Sequence, residues 1–221
     1  GTAPYQYQLL ETGDSSKFPQ LELSAWPDLT IDQYEVRVPE VDQVVAYAYF
    51  GRRAKHPPVL LDWQNLTSEP LLILDRKPAE LSALAAAIEK HAAADATILA
   101  WWDTSAQLAL LTGRHVLSRS PLHEPLIIPE VWQTQRAAIL DYESEQVATV
   151  VSDEERTQFQ RFTHALAQPH EIGLAELRAL SDPERETYLV VHVTDLYKLG
   201  LLYPEKLGVA YKNYRMTGNI H

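Results

Sequence analysis

The sequence predicts an α/β fold: a mainly parallel central sheet flanked by helices, with an antiparallel strand segment at the N-terminus. Three observations point there. Residues 31–38 alternate apolar and polar side chains, and 44–50 read as a second strand beyond a Pro39-Glu40 break, as in an antiparallel pair. Residues 71–100 then run apolar stretch, amphipathic helix, apolar stretch, the order of a right-handed βαβ unit with parallel strands. Residues 187–193 form a strongly β-prone run set between helical patterns.

The elements follow in order. Residues 9–24 are polar and turn-rich, and Gly51-Arg52-Arg53 closes the second strand. Leu71-Leu-Ile-Leu74 is a short buried-strand pattern. From Pro78 to Asp95, Leu81, Leu84, Ala85 and Ile88 share one helical face. Residues 96–100 read as a buried strand. A helix follows at once, with Thr104 and Gln107 as a capping-box pair and Gly113 as its stop. Further helices are expected over 130–146 and after the Ser152/Glu155 capping pair, where Phe159, Phe162 and Leu166 align. Leu174, Leu177 and Leu180 predict one or two helical turns. A short helix over 196–202 and a last strand around 207–211 close the chain. The whole reads as one domain, 1–221, with a β-rich segment over 1–66 and an α/β core over 67–221.

Composition narrows the function. The 221 residues are 46% hydrophobic with five Trp and eleven Tyr, enough to bury a sizeable core. A net charge of -11 argues against nucleic acid or an anionic membrane surface as partner, because both repel an acidic protein at long range. The absence of cysteine removes disulfides, thiolate catalysis and Cys-ligated metals. No Gly-x-Ser-x-Gly elbow, phosphate-binding loop or dinucleotide fingerprint is present. His115, His123, His164, His170 and His192 have no metal-ligand spacing, so neither a metal nor a cofactor is expected. Asn65-Leu-Thr67 matches a glycosylation acceptor. No stretch has the roughly 18 to 20 apolar residues a membrane helix needs. The chain starts Gly1-Thr2-Ala3-Pro4 without an initiator Met, as a trimmed product would, and the natural protein is expected to continue beyond His221.

The candidate site is the segment Trp101-Trp102-Asp103-Thr104, at the carboxyl end of the strand expected over 96–100. In open α/β sheets, ligands sit in the crevice beyond the strand ends, where helix N-termini offer free N–H groups. The competing reading makes Asp103 or Thr104 a helix cap and the two indoles core. Asp75 and Asp195 follow two other expected strands, so Asp75, Asp103 and Asp195 could converge on one rim. Such a rim could hold a hard cation. No catalytic residue emerges, which leaves a binding role for a partner protein or small ligand.

Two resemblances start from these residues. Ile98-Leu-Ala-Trp-Trp-Asp103 and Leu110-Leu-Thr-Gly-Arg114 resemble the Trp-Trp-Asp segment of oligosaccharyltransferase catalytic subunits, which helps bind the acceptor hydroxyl residue. That family continues Tyr-Gly where this chain has Thr104-Ser105, and its metal-binding carboxylates lie in membrane-embedded parts. Together with Glu124-Pro-Leu-Ile-Ile128 and Gly208-Val-Ala-Tyr-Lys212, the same segments resemble HaoB-type proteins associated with hydroxylamine oxidation. That resemblance implies a bacterial accessory module with no established reaction. It also implies an amino-terminal membrane segment outside this chain, with the domain on the periplasmic side of the inner membrane. The first resemblance implies instead a soluble acceptor-binding domain of a glycosyltransferase or a degenerate relative.

Overall fold

A computed structural model describes residues 6–39, 41–66, 77–119, 134–139, 141 and 151–208. The run 71–74, Asp75, His123 and residues 209–211 of the expected last strand lie outside the described residues. Of the helix expected over 130–146, helical turns at 134–139 are described.

The N-terminal segment is larger than its sequence pattern predicts. Strands β1 (Gln6–Asp14), β2 (Thr30–Arg37), β3 (Ala46–Arg52) and β4 (Val59–Asn65) form an antiparallel sheet in sequence order. The turn-rich expectation for 9–24 holds only after Asp14, where two short 3-10 turns span Ser15–Lys17 and Pro19–Leu21. β1 escapes a periodicity reading because both its faces meet solvent, so no apolar alternation is needed. It is held by the ladder to β2, with a register shift between Leu9 and Glu11. One buried carboxylate links three strands. Asp32 on β2 accepts from Thr12 Oγ1 on β1 at 2.8 Å, and from Arg52 Nε and Nη2 on β3 at 2.6 and 3.0 Å.

Among the described residues, the parallel sheet has three strands beside the four of the antiparallel sheet. Its central strand β5 (Thr97–Leu99) lies between β6 (His115–Val116) and β7 (Thr187–Leu189), parallel to both. Helix α1 (Pro78–His91) precedes β5, and α2 (Trp102–Thr112) makes the crossover from β5 to β6. Pro78 opens α1, where its missing N–H costs nothing, and the Glu80 carboxylate accepts the Lys77 N–H at 3.4 Å. Gly113 ends α2 at φ 66°, the left-handed geometry that glycine adopts without strain.

The two sheets share a core. Phe18, Leu21, Trp26, Ile31 and Tyr49 from the N-terminal segment pack with Leu81, Ala85, Ile98, Leu108 and Leu111. Gly51 allows the close approach: a Cβ there would stand 2.6 Å from Leu61 Cδ1 and 3.0 Å from Leu110 Cδ2. The last carbonyls of α2 are also satisfied across this boundary. Trp26 Nε1 donates to Leu111 O at 2.9 Å, and Arg53 Nη1 to Leu110 O and Leu111 O at 3.1 and 2.9 Å.

Helices α3 (Asp153–Leu166), α4 (His170–Ala179) and α5 (Val193–Leu202) follow. Ser152 caps α3 as expected, its Oγ accepting the Glu155 N–H at 3.1 Å. Glu155 does not complete a capping box; its carboxylate accepts instead from Ser118 Oγ and Arg119 N, at 2.9 and 2.8 Å. The β-prone run 187–193 is strand only to Leu189, and α5 begins earlier than expected. Local capping overrides propensity there: Asp195 Oδ2 accepts the His192 N–H at 2.8 Å, and His192 Nδ1 accepts from Thr194 N at 3.2 Å.

Candidate functional site

Trp101 and Trp102 are adjacent in sequence but differently placed. Residue 101 is the N-cap of α2, with extended backbone, and residue 102 is the first helical position, so the chain turns sharply between them. Trp101 is fully buried, meeting Phe159 edge-to-face at 5.3 Å in a core with Leu99, Phe162 and Leu199. Lys198 Nζ lies 5.3 Å from its ring centroid. The indole does not face the rim: it joins β5 to α3 and α5. Trp102 is only partly buried and lines an open cleft, while its Nε1 is buried without a hydrogen-bond acceptor among the described residues.

The cap differs from the Thr104/Gln107 box. With Trp101 as N-cap, no side chain caps the helix in that way. Asp103 Oδ1 accepts the Thr104 N–H at 2.8 Å, which places a negative charge in the first turn, where the helix dipole favours it. Its Oδ2 accepts from Lys198 Nζ on α5 at 3.1 Å. Thr104 is buried, and Ser105 Oγ donates to Ala100 O at 3.1 Å. Gln107 serves the neighbouring sheet instead, its Nε2 donating to Leu60 O on β4 at 2.9 Å.

Of the three carboxylates expected on one rim, Asp103 and Asp195 are among the described residues. Asp195 is 3% exposed and sits in the first turn of α5 rather than at a strand end, holding the N-cap N–H. Asp103 belongs to α2, and Lys198 on α5 donates to it. Asp75 is outside the described residues. Among the described residues, no group of three His, Asp or Glu side chains is placed to hold a metal ion. His164 pairs with Glu176 at 3.0 Å, and His192 lies 3.4 Å from Glu80.

The cleft beside Trp102 has a volume of about 910 Å³. Trp102, Asp103 and Gln107 contribute from α2. Tyr7, Phe50 and Leu60 come from the antiparallel sheet, and Arg119 and Glu155 also line the cleft. Tyr7 and Phe50 stand edge-to-face at 6.1 Å, so an aromatic corner of one sheet faces the helix end of the other. Of the six sequence candidates, Trp102 and Asp103 therefore meet the cleft, whereas Trp101, Thr104 and Asp195 are buried. Lys198 was missed, because its partner Asp103 lies 95 residues away in sequence and no local spacing signals the pair. Tyr7, Phe50 and Leu60 carried no such signal, because their part depends on how the two sheets meet.

Among the described residues, no helix is long and apolar enough to cross a membrane. No curated protein and no solved structure matches the chain. One family model, described as HaoA-associated protein HaoB, matches residues 1–221, the whole of the sequence. The chain belongs to the HaoA-associated protein HaoB family.

Proposed function

We propose that this chain is a non-catalytic accessory protein of hydroxylamine oxidation that binds HaoA through the cleft at Trp102 and Asp103. The observation that carries the reading is the family match across all 221 residues, to a family described by its association with HaoA. The cleft supports the choice of surface. A partly buried tryptophan beside a charged pair, with aromatic walls, is the composition of an interface anchor.

Calorimetry with purified HaoA tests this. Trp102→Ala weakens binding by roughly tenfold or more, as loss of an interface anchor does, and Trp102→Phe by less. Glu171→Ala, on exposed α4 outside the cleft, leaves affinity unchanged. Absence of binding by the unaltered chain, or equal affinity for Trp102→Ala, overturns the proposal. The proposal extends to location: the domain is held on the periplasmic side of the bacterial inner membrane by a segment outside these residues, as the family resemblance implies. Protease cleavage of the domain in spheroplasts but not in intact cells is the expected result. Protection in spheroplasts contradicts it.

A further inference from the structure

We infer that a second cleft, formed by α3, α4 and the end of α5, binds a small organic anion: an amphiphilic carboxylate with its charged end on Arg156 and Arg161 and its apolar body along Phe159, Ala179 and Leu202. The cleft has a volume of about 850 Å³, within the range of small-ligand sites, and shares no lining residue with the cleft beside Trp102. Contacts between the helices set its frame. Gly173 lets α4 close on the end of α3, since a Cβ there would collide with the Ala165 carbonyl. The Tyr203 hydroxyl, just beyond α5, meets Thr163 Oγ1 on α3 at 3.1 Å.

The polar groups of the cleft select the ligand, because several are already spent. Thr163 has one hydroxyl proton and gives it to Gln160 O at 3.1 Å, so Tyr203 is the donor in their pair. A carboxylate only accepts, so His164 donates from Nδ1 to Glu176 at 3.0 Å, and Gln168 meets Nε2 at 2.7 Å. The guanidinium groups of Arg156 and Arg161 are not spent. Both residues are exposed on α3 and line the cleft, and neither guanidinium makes a hydrogen bond or ion pair among the described residues. Lys206 adds a third positive charge, its Nζ lying 6.0 Å from the Tyr203 ring centroid. In a chain of net charge -11, this cluster is a local exception that favours an anion, and a guanidinium matches the two oxygens of a carboxylate. Phe159, Ala179 and Leu202 offer a bare inorganic ion nothing, whereas they shield an apolar body from water. The occupant is therefore an organic anion of a size the cleft can hold.

Amide NMR titration of the isotope-labelled chain with naphthoate tests this. Saturable shifts are expected along α3 and around Tyr203, with a Kd on the order of 0.1 to 1 mM, because solvent screens exposed arginines. Neutral naphthamide, which keeps the apolar body and lacks the charge, binds at least about tenfold more weakly. The double variant Arg156→Gln, Arg161→Gln loses at least about tenfold in naphthoate affinity. Its far-UV circular dichroism stays unchanged, since both residues are exposed. Equal binding of naphthamide, or a double variant that binds naphthoate like the unaltered chain, overturns the inference. Absence of saturable shifts at these residues up to about 10 mM naphthoate does so as well. A tetraglutamate peptide that binds more tightly than naphthoate also overturns it, by making the arginines a docking patch for an acidic protein. The titration uses the chain alone, so the HaoA reading stands or falls separately.

Discussion

The antiparallel and parallel sheets are each buried at the centre and open at an edge, but their strands are joined and tied differently. The four-stranded sheet ends in a strand exposed on both faces and is tied across by a polar cluster at Asp32. In the three-stranded sheet the central strand is covered, with Ile98, Leu99 and the following Ala100 and Trp101 almost wholly buried, while Leu189 on the edge strand β7 is exposed. The difference follows from connectivity. Parallel strands need crossovers, whose helices cover the sheet, while hairpin-linked strands can leave a face or edge open. The candidate site lies where the two arrangements abut, with Trp101 on the buried side of the boundary and Trp102 on the open side.

The comparison predicts unequal costs. Trp101→Ala has the largest effect, because it removes a fully buried indole and its edge-to-face contact with Phe159. Loss of about 3 to 5 kcal/mol of unfolding free energy in urea titration is expected. A loss below about 1 kcal/mol would mean that the core joining β5 to α3 is not closely packed.

Asp32→Asn comes second, at about 1 to 2 kcal/mol, since a charged hydrogen-bond acceptor for Arg52 and Thr12 is weakened on a pair whose arginine is half-exposed. The Arg52 guanidinium holds the Asp32 carboxyl below its usual range, opposed by burial and helped by Thr12. A depressed acid stabilises the fold above its unfolded value and loses that contribution as pH falls through the folded one. The gap between Asp32→Asn and the unaltered chain therefore narrows on acidification below the ordinary carboxylate range. A gap independent of pH would assign the effect to packing.

The smallest effect has the opposite sign. Burial raises the Asp62 carboxyl on β4, partly offset by the Trp63 N–H. Its ionised form opposes folding once pH rises above the unfolded value, and that cost is complete above the folded one. Asp62→Asn is expected to raise the melting temperature slightly at neutral pH, with the gain disappearing in acid. A loss at neutral pH would contradict the sign.

Legibility followed the same division. α1, the strand at 97–99 and the α3 face of Phe159 and Phe162 were readable because burial on one side imposes a period. β1 was not, since exposure on both faces removes the pattern. β4 follows Pro57-Pro58 and shows no clean alternation, and its place is set by pairing with β3. At the site, Trp101-Trp102-Asp103 was visible as an unusual cluster, yet the division between a core ring and a cleft ring depends on the turn into α2. The aromatic wall opposite is assembled by contacts across the sheets, which sequence spacing does not record.

Hydroxyl-radical footprinting with and without HaoA is the most direct test of the cleft as a docking surface. Oxidation of Trp102, Tyr7 and Leu60 is expected to fall when HaoA is added, with Trp101 protected in both states and exposed Ile172 on α4 unaffected. Binding of HaoA with Trp102, Tyr7 and Leu60 oxidised as readily as before would contradict the account and place the interface elsewhere on the molecule.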